Sequence, residues 1–543
     1  MRRVPDLLVW LALAVVAGLL FPRIASRDAY DYDEADYLGA VSKGFLANYT
    51  DRDAISLATF AKLGLGRGFE KTQRTSLSQY IRESGELPFY RHYHGPLYFY
   101  YLIPFRALLG DNEFAMRAAS FAFLPLAAIL AYLTVLSLRP RGSRLGPALA
   151  AAMVVLGPSN LGTAAQITPH SLYVFTCLLG LLAIARLIED PTPGRFYCSV
   201  LVLSLNFMVI EYALLLLLTL ATAMFVTRRH VFLPPDRRIG ARRLAAAALL
   251  FAGTVFAVWP GAWIKLTLVR NYVFFAYFAI VRGGEYGKGP FWQSWLQRAA
   301  ESPIEYAVIV AGLLLLLPRA RRRAAVLPYL VYAGLIFLCT VRNTSSSPTY
   351  VSSLLPPLHV LSVLAVGAAA ERFSRGARAC LLAALACALL GSTSLWLRTS
   401  SERIRPTETV LKQVVAHLKA EAFPTGSVAV DRVLLPTIHY YLPDGRFSAF
   451  SETTDSLDET CGALAQSEVR EILYAGPHRR EMDAALRRHF AVRPGGVDAE
   501  GRVVRWERVG KPEGAGEDPP GDPGLTGGNR DAMRSQTTTV GSQ

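Results

Sequence analysis

Leu97-Tyr98-Phe99-Tyr100-Tyr101-Leu102-Ile103-Pro104-Phe105-Arg106-Ala107-Leu108-Leu109 is the stretch on which the fold turns. It is apolar enough to be read as a membrane span. If it spanned, every later loop would change sides and each strongly basic loop would fall outside. Read instead as an interfacial helix, rich in the Tyr and Phe that favour the membrane–water boundary, it leaves all the basic loops on one side. The charge pattern is consistent only on the second reading, so the segment is placed at the interface.

The spans around it follow from composition. Of 543 residues, 52% are hydrophobic and 18% charged, and mean hydropathy is positive. A soluble protein of this size carries more charge, and here the apolar residues come in blocks able to cross a bilayer, which takes about 20 residues as helix. The first block, Leu7 to Phe21, follows Met1-Arg2-Arg3. No small-x-small cleavage pattern is clear after it and more spans follow, so it is expected to be a retained helix. Further spans are expected over Phe114 to Leu138, Gly146 to Leu161 and Ser171 to Leu187. Phe196 to Val226, interrupted by Glu211, reads as two short spans that turn around Asn206 to Tyr212. Leu244 to Trp263, Ile304 to Leu317, Ala324 to Val341, Tyr350 to Ala370 and Ala379 to Leu397 complete the set. The total is about eleven.

The formal net charge of +15 suggests nucleic acid at first glance. Its distribution argues against that partner. Basic residues crowd into short loops: Arg139, Arg141 and Arg144; Arg228, Arg229, Arg242 and Arg243; Arg319 through Arg323; Arg372, Arg375 and Arg378. This is the positive-inside pattern, which places the N-terminus in the cytoplasm of a multi-pass inner (plasma) membrane protein. Residues 22–113 then form a first external loop with amphipathic pieces at Tyr37 to Phe45 and Ile55 to Leu65, and Lys265 to Ser302 a second.

After Leu397 the character changes. Residues 400–510 read as a small external α/β domain, with helical periodicity over Glu408 to Ala420 and short strands over Ser427 to Val430, Glu471 to Tyr474, Phe490 to Arg493 and Val503 to Trp506. Residues 511–543 are dominated by Gly, Pro, Asp, Ser and Thr and are expected to be disordered. The six Cys include no C-x-x-C pair; they read as small core residues, without a disulfide framework or structural zinc.

Polar groups at a membrane boundary are costly unless solvated or paired, so they are the candidates for chemistry. Asp31-Tyr32-Asp33-Glu34-Ala35-Asp36-Tyr37 holds four acids about ten residues beyond the first span. Asp33 and Glu34 are the candidate catalytic pair; the plain alternative is a solvated helix face. Phe89 to Tyr98 carries Arg91, His92 and His94 into the interfacial helix. Arg and protonated His suit a lipid phosphate, and attraction to anionic head groups is the alternative. Arg117, just inside the second span, needs a partner: Asp33, Glu34 or a substrate phosphate, unless it snorkels to the surface. Lys265, Arg270, Arg282, Lys288 and Arg342 reach the external side against the positive-inside trend, which suits phosphate binding. Glu211 and His170 are placed at the same face, and His359 reads as a satisfied polar residue packed inside the bundle. The chain has no Walker loop, no G-x-S-x-G and no H-E-x-x-H.

Three motifs together resemble a known family. Asp33-Glu34-Ala35-Asp36-Tyr37 after the first span, His94-Gly95-Pro96-Leu97-Tyr98 before an interfacial helix, and Arg117 opening the second span are similar to the GT-C glycosyltransferases. Within these the pattern resembles the family 39 protein O-mannosyltransferases and the lipid A aminoarabinose transferases. The resemblance covers residues 1–399, the expected transmembrane domain. It implies an all-α polytopic membrane fold of GT-C type, with external loop helices and the small C-terminal α/β domain appended. It also implies an enzyme that takes a sugar from a polyprenyl-phosphate donor and passes it to a lipid, protein or glycan acceptor outside. Asp33 would act as the base or orient the acceptor, with Glu34 beside it, and His94 and Arg117 would organise the loop and the donor phosphate. Gly95 stands where the family often has a proline. Many members carry an acid at the external start of the fourth span, and Thr168-Pro169-His170-Ser171 has none, which removes support for a second acidic contact and for a metal site built on it; no cofactor is certain and a divalent metal is not indicated. Two other functions fit parts of the pattern: a transporter or flippase of lipid-linked glycans, and a scaffold whose tail domain binds a partner. The clustering of polar residues at one face favours the enzyme.

Overall fold

The computed structural model describes residues 4–26, 28–42, 44, 94–138, 144–227, 240–259, 292–316, 324–340, 352–404, 410–420, 427–431, 434–443, 445, 447–450, 461–462, 464, 469–474, 479–489, 491–496 and 504–510. Two compact units partition the chain: residues 1–28 with 36–408, and residues 29–35 with 409–543.

The first unit is helical. It contains α1 (Val4–Ile24), α2 (Tyr32–Ser42), α3 (Leu97–Leu109), α4 (Glu113–Phe121), α5 (Phe123–Leu138), α6 (Leu145–Leu156), α7 (Pro158–Ala164) and α8 (Pro169–Glu189). There follow α9 (Pro193–Phe207), α10 (Ala213–Val226), α11 (Ala241–Val258), α12 (Trp292–Glu301), α13 (Pro303–Leu316), α14 (Leu327–Thr340), α15 (Leu355–Ala370) and α16 (Arg375–Ile404). Only the residues of α2 before Asp36 cluster with the second unit. Among the described residues five helices are long and apolar enough to cross a membrane, or six if α6 and α7, bent by 56° at their junction, count as one. The outer helices expose large apolar side chains, such as Leu7, Leu11 and Leu19 on α1 and Leu249 on α11, a surface suited to lipid rather than water.

Local chemistry sets the ends. Thr168 accepts from the His170 amide ahead of Pro169, and Thr192 from the Arg195 amide ahead of Pro193. Each is an N-cap followed by a proline whose missing N–H falls where the helix has no use for one. The second expected span divides at Ala122 into α4 and α5, and the third at Gly157, where Pro158 starts a new helix. The span broken by Glu211 divides as its sequence suggests, with α9 ending at Phe207 and α10 beginning at Ala213.

Helix α3 has the bounds of the decisive segment, Leu97–Leu109. Thirteen residues of helix reach about 20 Å, short of a hydrocarbon core of about 30 Å. Its tyrosines do more than favour an interface. Tyr98 is fully buried and donates to Ser120 Oγ at 3.0 Å, and Tyr101 donates to the Ala119 carbonyl at 3.0 Å, so α3 is pinned along α4. At the opposite end of the bundle, Arg144 pairs with Asp6 of α1 at 2.7 Å, and Tyr132 also bonds to Asp6. Deeper in, His359 is fully buried against Glu305, with Nε2 to Oε1 at 2.7 Å. The carboxylate gives Nε2 a partner, while His359 Nδ1 and Glu305 Oε2 are buried with no hydrogen-bond partner among the described residues.

The second unit is an open α/β sheet of β1 (Val428–Asp431), β2 (Ser448–Phe450), β3 (Glu471–Tyr474), β4 (Ala491–Gly496) and β5 (Val504–Gly510), in the order β2-β1-β3-β5-β4. Strand β1 is parallel to both neighbours, while β5 is antiparallel to β3 and β4. Helices α17 (Val410–Ala420), α18 (Leu435–Tyr441) and α19 (Arg479–His489) cover it. Alternation along the strands sorts the core into two layers. Val428, Val430 and Leu473 pack with Val414, Leu418 and Ile438 on one face. Ala429, Ile472, Tyr474 and Trp506 pack with Met482 and Leu486 on the other. Strand β2 was not expected from the sequence; its three residues are too few for a periodic signal. Strand β4 runs on through Pro494, which an edge strand tolerates because it pairs on one side only. All six cysteines are free thiols.

Candidate active site

The acidic motif opens α2, and its backbone explains two of the four acids. Asp31 Oδ1 accepts from the Glu34 amide at 3.0 Å, and Glu34 Oε2 accepts from the Asp31 amide at 3.3 Å. The Asp31 carbonyl takes the first helical bond from Ala35 at 2.8 Å. This is a reciprocal capping box, in which an N-cap side chain and the residue three positions on satisfy each other's amides. The D-x-x-E spacing of Asp31 and Glu34 is the sequence pattern of such a box. Glu34 is buried, and Asp33 lies between the two, exposed in the first turn.

One turn further along α2, Tyr37 leads to a buried polar network. Its Oη lies 3.3 Å from His94 Nε2, and His94 Nδ1 lies 2.9 Å from Glu211 Oε2. His94 and Glu211 are 4% and 5% exposed. A carboxylate can only accept, so it fixes a proton on Nδ1 and turns Nε2 toward Tyr37. Glu211 sits in the turn between α9 and α10. Burial there pushes its carboxyl up, but the charge and hydrogen bond of His94 outweigh that, and it stays below the usual glutamate value. His170, whose ring packs against Tyr212 at 5.9 Å, adds a weaker pull in the same direction. Sequence reasoning set Glu211 at this face without assigning it a role; its interruption of an apolar run was the signal.

Gly95 is needed beside this network. A Cβ built there would stand 2.2 Å from both the carbonyl carbon and oxygen of Met208, in the Glu211 turn. The same approach lets the Leu97 amide bond to the Met208 carbonyl at 3.0 Å. Gly95 thus permits a close contact between two main chains. Gly95→Ala is expected to lower stability by about 1–3 kcal/mol through overpacking. Thermal unfolding of the purified variant checks this, and an unchanged midpoint would show that the turn moves freely.

Arg117 is buried on α4. Its Nη1 donates to the carbonyls of Ser26 and Asp28, both at 2.9 Å. Through these two bonds Arg117 holds the chain leaving α1. Arg91, Lys265, Arg270 and Arg342, with Arg282 and Lys288, lie outside the described residues, as do Ile55 to Leu65 and residues 511–543. Among the described residues no group of three His, Cys, Asp or Glu side chains is arranged to hold a metal ion.

The fold is similar to those of two solved membrane-protein structures. It matches the structure of ArnT from Cupriavidus metallidurans bound to undecaprenyl phosphate, with a TM-score of 0.55 at 15% identity over 92% of this chain and 97% of that one. It also matches the Archaeoglobus fulgidus oligosaccharyltransferase in its apo form, with a TM-score of 0.53 at 10% identity over 86% of this chain and 69% of that one. The oligosaccharyltransferase AglB from the same organism, in complex with an inhibitory peptide and a dolichol-phosphate, aligns at a TM-score of 0.50 and 10% identity over 91% of this chain and 74% of that one. No family model and no curated protein sequence matches the chain.

Proposed function

We propose that this protein is a membrane glycosyltransferase that moves a sugar from a polyprenyl-phosphate donor to an acceptor hydroxyl on the external face of the membrane. The observation that carries the reading is the first turn of α2. Two of its acids serve the helix cap, while Asp33 is presented at the surface of a fold shared with an undecaprenyl-phosphate-bound ArnT. On this reading the bundle crosses the membrane about eleven times, with the N-terminus inside and the α/β domain outside.

The chemistry follows from the groups. An acceptor hydroxyl is a poor nucleophile until its proton is removed in the transition state. Asp33 takes that proton as the oxygen bonds to the anomeric carbon. The bond from that carbon to the phosphate oxygen breaks, and the polyprenyl phosphate leaves with the electron pair. A single displacement inverts the anomeric centre. The charge developing on the phosphate needs cationic donors, for which Arg91, Lys265, Arg270 and Arg342 are the proposed ligands. Glu34, His94 and Arg117 act as positioning residues: Glu34 through the cap, His94 through Tyr37, Arg117 through the main chain before α2.

The test is transfer by purified protein in liposomes, given radiolabelled polyprenyl-phosphate sugars one at a time with acceptor membranes. Label is expected to pass from one donor class to the acceptor. Movement of intact donor across the bilayer without bond cleavage would support a flippase and overturn this proposal.

A further inference from the structure

We propose that the C-terminal α/β domain holds the acidic motif in place, through a docking contact between Tyr30 and helix α18, and so acts as a positioning element for Asp33. The catalytic half of this statement rests on the function proposed above; the docking half does not.

Segment Ala29–Ala35 belongs to the compact unit formed by the C-terminal domain. Tyr30 is its anchor, with 0% of its surface exposed. Its ring stacks on Tyr441, with centroids 5.9 Å apart and planes at 18°, and meets Tyr440 edge-on at 5.3 Å. Its amide donates to Tyr441 Oη at 3.1 Å, and its carbonyl accepts from Thr437 Oγ1 at 2.8 Å. One seven-residue helix therefore satisfies both main-chain polar groups of a buried residue. The next residue, Asp31, caps α2, and Asp33 follows two positions later. There is little slack in so short a tether, so ordering Tyr30 orders the first turn.

The place of the contact in the sheet is informative. Helix α18 leaves the carboxyl end of β1, where the Leu434 amide bonds to the Asp431 carbonyl at 2.8 Å. Strand order reverses at β1, with β2 on one side and β3 on the other. In open α/β sheets such a switch point is where ligands bind. Here the helix next to it carries a segment of the protein's own chain. A domain that the sequence left without a role becomes the frame for the proposed base.

The experiment uses the full chain in lipid nanodiscs. Tyr441→Phe and Thr437→Val each remove one hydroxyl while keeping side-chain bulk, and the double variant removes both hydroxyl bonds to the Tyr30 main chain. Hydrogen exchange in residues 29–35 is expected to rise about tenfold in the double variant, while the β3 peptide 471–474 exchanges as before. Turnover is expected to fall about tenfold with the donor KM within about twofold, and Thr437→Ser is expected to restore the single Thr437 variant. Unchanged exchange in 29–35 overturns the docking, and faster exchange with unchanged turnover overturns the positioning role. If the wild type transfers no sugar from any donor, the proposed function fails, while the exchange measurement still decides the docking.

Discussion

Asp33→Asn is expected to lower sugar transfer by about 10²- to 10⁴-fold, the range that general base catalysis contributes, while the protein inserts, folds and binds donor as before. Asparagine is close to isosteric with aspartate and keeps a polar side chain at an exposed position of the first turn. What it loses is basicity. The neighbouring acids sharpen the test. Asn caps helices as well as Asp, and Gln serves in a capping box as Glu does. Asp31→Asn and Glu34→Gln should therefore retain most of the activity, because the bonds at 3.0 and 3.3 Å need only acceptors. Glu34→Ala removes one of them and should cost about 1 kcal/mol of local helix stability, with a smaller loss of turnover than Asp33→Asn. Full transfer by Asp33→Asn would overturn the assignment. Loss in Glu34→Gln with retention in Asp33→Asn would move the base by one residue, to a side chain already engaged with the main chain.

Helix placement was legible in the sequence because hydropathy and charge act locally. Leu97 to Leu109 and the break around Glu211 were read at the correct residues, the first from loop charges and tyrosines, the second from one acid in an apolar run. His359 reads as a satisfied polar residue packed inside the bundle; it is fully buried and its Nε2 meets Glu305, while its Nδ1 has no hydrogen-bond partner among the described residues. Its partner was invisible, since 54 residues separate them and a glutamate early in a helix looks like any first-turn acid. The same holds for His94 and Glu211, 117 residues apart, and for Tyr30 and Tyr441, 411 apart. Arg117 shows the limit differently. Two of its hydrogen bonds go to main-chain carbonyls, which no residue identity announces. The capping box was the exception, a local pattern that could have been read and was masked by the density of acids around it.

Glu211→Ala is expected to be strongly destabilising, by about 3–5 kcal/mol, because it leaves one member of a buried, hydrogen-bonded pair behind. His94 would keep a buried Nδ1–H with no acceptor, and the ring would lose the bond that aims Nε2 at Tyr37. The size of this effect is mostly the cost of stranding the partner, so it should collapse in combination. With His94→Ala already present, adding Glu211→Ala should cost much less than it does alone, and the coupling energy from that double-mutant cycle measures the pair. Additive losses would show that the two side chains do not act together. Acid provides a second check with a defined sign. The Glu211 carboxyl is held below its ordinary value, so its contribution is complete above the unfolded glutamate pKa of about 4.3 and is lost as pH falls through the lower folded-state value. The stability gap between wild type and Glu211→Gln should therefore be widest near neutrality and close on acidification. A gap that widened in acid would mean the carboxyl is protonated in the folded protein, and His94 would then owe its orientation to something other than a charged partner.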